Sequence, residues 1–132
     1  MTSAKKLIIA ASAPVLALCA TVALAHHSAA QFDFSKRVTI EGTVEQFNVK
    51  NPHAMAIISV TDKKGTRDVE YEGHSASHFY RGGYTRDLVH TGDKIAIVIA
   101  PRRDGADGGF IQSFTVNGKT VGFGNASPET GK

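Results

Sequence analysis

Val38, Ile40 and Val44 share even parity along the chain, whereas Phe47 and Val49 are odd. A strand shows one face on every second residue. A strand that keeps both groups inward must therefore bulge or bend near Glu45-Gln46. Few β architectures are built around a long, bent first strand. Asn51-Pro52 ends it, because proline cannot donate to a ladder. Residues 54–60 form a nearly continuous apolar run, the pattern of a strand buried on both faces. Asp62-Lys63-Lys64-Gly65 reads as a hairpin turn, and Arg67, Val69 and Tyr71 then alternate with Asp68, Glu70 and Glu72. Ser75 or Ser77 can cap a short helix that Gly82-Gly83 stops. Thr91-Gly92-Asp93 turns into a fourth strand carrying Ile95, Ile97 and Ile99. Residues 102–109 are a polar, glycine-rich loop. Phe110, Gln112, Phe114 and Val116 mark a fifth strand, and Asn117-Gly118 is a hairpin signal leading to a short return with Val121 and Phe123. Three strands, a short helix and two strands is the order of an OB-fold. The sequence thus predicts an all-β chain, a small five-stranded OB-like barrel with one short helix plugging its end. A small sandwich with a helical insertion is the alternative.

The start of the chain has a different character. Lys5 and Lys6 precede an apolar stretch, residues 7–25, and Ala23 and Ala25 make a small-x-small exit. That is the pattern of a signal peptide cleaved after Ala25, and it predicts a periplasmic or secreted protein. An uncleaved anchor is the rival, since the stretch approaches the ~20 residues of a membrane span; Pro14 and the small exit residues argue against it. Cys19 does not read as a lipoprotein site, because Leu18 before it is not small, and no arginine pair precedes the apolar run. Removing residues 1–25 leaves 107 of the 132 residues, one small domain. Residues 26–36 read as an N-terminal arm anchored by Phe32 and Phe34, 37–124 as the barrel domain and 125–132 as a disordered tail. Formal charge falls from +3 to +1 with the leader, so the basic balance gives no support to a nucleic-acid partner or, after cleavage, a membrane partner. The sole cysteine leaves as well, which excludes a disulfide, a thiolate metal site and a cysteine nucleophile.

All six histidines lie beyond the leader: His26, His27, His53, His74, His78 and His90. Cleavage after Ala25 would give His26 a free α-amine beside its imidazole, a bidentate chelate. With a second histidine this makes the T-shaped nitrogen set called a histidine brace. Nitrogen-rich planar sets favour copper, with zinc as runner-up. His27 stands beside the new terminus, and His53 lies on the Asn51-Pro52-His53 turn, where an N-terminal arm could reach it. The expected metal ligands are therefore His26, His27 and His53, and the expected partners a metal ion and another periplasmic protein. The expected function is a small periplasmic binding module that carries or delivers copper. The alternatives are a copper-dependent oxidase built on a histidine brace and a metal-free ligand- or protein-binding barrel. His74 and His78 are four apart, but Gly73 argues against one helix presenting both, and His90 reads as a loop residue. The segment Gly83-Tyr84-Thr85-Arg86-Asp87-Leu88 is read as packing. No catalytic triad is assigned, because the serines fall in arms or caps. Gly105-Ala106-Asp107-Gly108-Gly109 lacks the lysine and following helix of a phosphate loop.

Taken together, His26-His27-Ser28, Asn51-Pro52-His53, Gly83-Tyr84-Thr85-Arg86-Asp87 and Gly92-Asp93 resemble the motifs of a family of short exported proteobacterial proteins of unknown function. Tyr84 stands where such proteins usually carry Trp. The resemblance spans nearly the whole processed chain. It implies secretion and a small β-barrel, singles out His26, His27 and His53 among the histidines, and implies no activity.

Overall fold

The structure, a computed structural model, describes residues 29–123. The leader, His26, His27 and the tail from residue 124 lie outside the described residues. The chain divides into two compact units, Met1–Gln31 and Phe32–Lys132, and the second holds every element below.

Six strands and one helix follow in the order β1 Val38–Asn48, β2 Met55–Asp62, β3 Gly65–Glu72, α1 Ala76–Arg81, β4 Lys94–Pro101, β5 Gly109–Val116 and β6 Lys119–Gly122. They form one sheet, ordered β3-β2-β1-β4-β5-β6. The adjacent pairs are all antiparallel. This corrects the expectation of a five-stranded OB-like barrel. The return after Asn117-Gly118 pairs fully enough with β5 to be a sixth strand. Closing a sheet requires a ladder between its edges. Here β3 meets β5 at a single parallel bridge, Glu72 with Phe110, so the sheet curls without closing.

The parity switch in β1 has its structural cause. The β1–β2 register shifts between Val44 and Gln46, a bulge at Glu45. Its first half pairs with β4 through residues 38–43, and its second half with β2 through residues 43–48. β2 alternates rather than lying buried on both faces. Ala56, Ile58 and Val60 are buried, while Met55, Ile57 and Ser59 are half-buried. A run of apolar residues cannot by itself distinguish these cases. Asn117 and Gly118 both have positive φ, 49° and 76°. That is the type I′ geometry whose twist matches a hairpin's strands.

The core fills the concave side of this sheet. Val44, Ile58, Ile97, Ile111, Val116 and Val121 come from the strands, with Phe79 of α1 and Phe114 of β5 at the centre. Phe79 packs on Phe47, Tyr84, Phe114 and Phe123, with ring centroids 4.4–6.1 Å apart. Tyr84 and Leu88 of the Gly83–Leu88 segment join this cluster, and Arg86 donates to the Tyr80 hydroxyl at 3.4 Å. That motif is packing. Phe32 anchors the entering chain beside Phe34 and Phe110, and Phe32 bridges to Arg102.

Candidate functional site

Where β3 gives way to α1, three segments converge: the Asn51-Pro52-His53 turn, Gly73-His74-Ser75 and the first turn of α1. Backbone bonds fix the convergence. Gly73 N donates to Ala54 O at 2.8 Å, and Ala54 N to His74 O at 2.9 Å, so the ladder continues past the strand ends. Glycine is required at position 73, since a Cβ there would sit 2.9 Å from the Phe79 ring. Ser75 occupies the N-cap position of α1 but its side chain makes no capping bond. The Asn51 amide oxygen takes that role from across the rim, accepting from Ala76 N at 3.1 Å. Freed from capping, the Ser75 hydroxyl lies 2.9 Å from His78 Nδ1 and 3.0 Å from the Ser77 hydroxyl.

This arrangement brings three histidines together. The His74 and His78 rings stack with centroids 5.0 Å apart and 22° between planes. They do so without sharing a helix, because His74 precedes α1. His74 stands edge-on to Phe110 at 4.8 Å and lies 5.4 Å from Phe123. His53 Nδ1 is 3.3 Å from Gly73 O and 3.4 Å from the Glu72 carboxylate. Burial holds the His74 imidazole below its ordinary pKa, and the charges of His78 and His53 push the same way. A proton on His74 would sit among apolar rings and next to two further imidazoles, so the fold favours the neutral ring. Glu72, beside His53, is the carboxylate of this rim.

A second polar cluster lies at the start of β3, where Arg67 shares the face of the buried Val69 and Tyr71. Arg67 donates to both Asp62 and Asp107, at 2.6–3.0 Å, tying the β2–β3 hairpin to the loop before β5. The Arg67 guanidinium holds the Asp62 carboxyl at about 2. Sequence reading missed it, because Asp107 lies 40 residues from Arg67 along the chain. His90 lies in a loop, its backbone N–H bonded to the Asp93 carboxylate at 2.9 Å.

A family model described as a family of unknown function, DUF6152, matches residues 13–112. The chain belongs to that family. Among curated proteins no relative matched. The matched span of this DUF6152 chain includes the whole histidine rim.

The metal expectation is corrected by the geometry. Among the described residues no group of three or more His, Cys, Asp or Glu side chains is disposed to hold a metal ion. His53 Nδ1 lies beside the Gly73 carbonyl and the Glu72 carboxylate, and no third His, Cys, Asp or Glu among the described residues completes a ligand set there. Copper, with zinc behind it, is therefore withdrawn as cofactor and as partner, and with it copper carriage and the brace oxidase. The metal-free binding barrel falls with the barrel itself. His26 and His27, the other two expected ligands, lie outside the described residues. The histidines that the structure stacks, His74 and His78, are the pair that Gly73 had argued against in the sequence of this DUF6152 member. Among the described residues no helix is long and apolar enough to cross a membrane.

Proposed function

We propose that the chain is an exported domain whose α1 rim responds to acidity. The observation that carries this reading is the stacked His74–His78 pair seated on Phe110 and Phe123, with His53 and Glu72 beside it. Histidine is the side chain whose ordinary titration falls between pH 5 and 8. Near neutrality, uncharged rings stack on one another and on the phenyl faces. As acidity rises, a proton on His74 must be held over apolar rings and beside two further imidazoles. The rim answers by loosening α1 from its aromatic floor and presenting a cationic surface. Export is supported by Lys5-Lys6, the apolar residues 7–25 and the Ala23-x-Ala25 exit, and an exported domain meets the pH of its surroundings directly.

Thermal unfolding between pH 8 and pH 5 tests the reading. Wild type should lose stability across this interval, and His74→Gln should flatten that loss. Equal pH dependence in the two proteins would remove the rim as the responsive element.

A further inference from the structure

Among the described residues, the first half of β1 has one edge with no strand on it. Residues 38–42 pair with β4 on one side, but pairing with β2 begins only at Thr43. Past Thr43 the β4 side is met at Val44, whose N–H donates to Asp93 O and whose carbonyl accepts from Gly92 N. On the β2 side the uncovered edge spans residues 38–42. Beside it, where β1 and β2 part, lies an open groove of about 590 Å³ lined by Glu41, Thr43, Ser59, Thr61 and Lys94. Gly42 marks the parting. A Cβ there would meet Ser59 O at 2.5 Å, so only glycine lets β1 pass this close before it turns away.

An unpaired edge is a template for another strand, and soluble proteins blunt such edges with proline, inward-pointing charges or bulges. Residues 38–42 carry none of these: the sequence is Val-Thr-Ile-Glu-Gly, and the bulge of β1 lies farther along, at Glu45. Val38 is 39% exposed although it shares a face with Ile40, which packs against the core. The segment is also self-complementary about Thr39, with apolar side chains flanking it and opposite charges at its ends: Arg37, Val38, Thr39, Ile40, Glu41. Laid antiparallel on its own copy about Thr39, Val38 falls opposite Ile40 and Arg37 opposite Glu41, each twice. A twofold interface requires such self-complementarity. Directly opposed charges across strands attract when unlike and repel when like.

We propose that the chain forms a twofold dimer by antiparallel pairing of residues 37–41, the start of β1 and the residue before it, with the same residues of a second copy, which extends the sheet across the interface and covers Val38. Sedimentation velocity on the protein as recovered from the expressing cell, over a range of concentrations, tests this. Wild type should show a monomer–dimer equilibrium. Glu41→Arg places arginine opposite arginine twice, and Arg37→Glu places glutamate opposite glutamate twice. Each should weaken the dimer by about tenfold or more, with circular dichroism unchanged because both positions are on the surface. The double variant Arg37→Glu, Glu41→Arg should restore it. A protein monomeric at every concentration would overturn the proposal. So would association, through this or any other part of the chain, that ignores both single reversals or is not restored by the double one.

Discussion

Single side chains at the rim carry charge and shape consequences that can be worked out in sign. The folded-state pKa of His74 is depressed below its unfolded value of about 6.5. Between those two values the unfolded chain binds more protons than the folded one. Stability therefore rises with pH across that window. It is fully present above about pH 6.5 and is lost as pH falls through the folded pKa. His78→Gln removes one of the charges acting on His74. The midpoint of the acid loss should then move to higher pH as the His74 pKa relaxes upward, which a melting series at half-unit pH steps would read. Asn51 acts differently, through a hydrogen bond to Ala76 N that does the work of a cap. Replacing a cap's acceptor with alanine costs about 1 kcal/mol. Asn51→Ala should lower the unfolding free energy read from denaturant titration by that much, and Ser75→Ala by less. The reverse ranking would return the cap to Ser75.

Among the elements, α1 depends most on what lies beneath it. Six residues make too short a helix to hold itself together in water. Phe79 is fully buried among Phe47, Tyr84, Phe114 and Phe123 and supplies that support. Phe79→Ala should destabilise the domain by about 3–5 kcal/mol, measured by urea unfolding. A loss under about 1 kcal/mol would mean that the helix is held by something other than its floor. The strands were legible in the sequence because their information is local. The parity switch marked the bulge at Glu45, the alternation marked β3, and Asn117-Gly118 marked the β5–β6 turn. The burial of β2 was misread because an unbroken apolar run has no period to reveal which face is wet. The rim was illegible for a related reason. His74 meets Phe110 and Phe123 only through the curl of the sheet, and no spacing encodes a curl.

For the whole molecule, the curl is also what separates the observed sheet from the expected barrel. The short helix falls between β3 and β4, as in the barrel reading, but six strands stand where five were expected. β3 touches β5 only at Glu72 and Phe110, and β6 extends the far side. The touching point lies next to the histidine rim: Glu72 faces His53, and Phe110 supports His74. Protonation at the rim therefore acts where the sheet is least tied. Phe110→Ala should remove the floor under His74 and let water reach the ring, raising its titration midpoint toward the ordinary histidine value. The most direct measurement of the account is a magnetic resonance titration of the histidine side chains, followed alongside the α1 backbone amides. The account predicts that His74 titrates below about pH 6.5 and that the amides of Ala76–Arg81 shift with the same midpoint. Titration of His74 at or above that value, with α1 unmoved from pH 8 to pH 5, would contradict it.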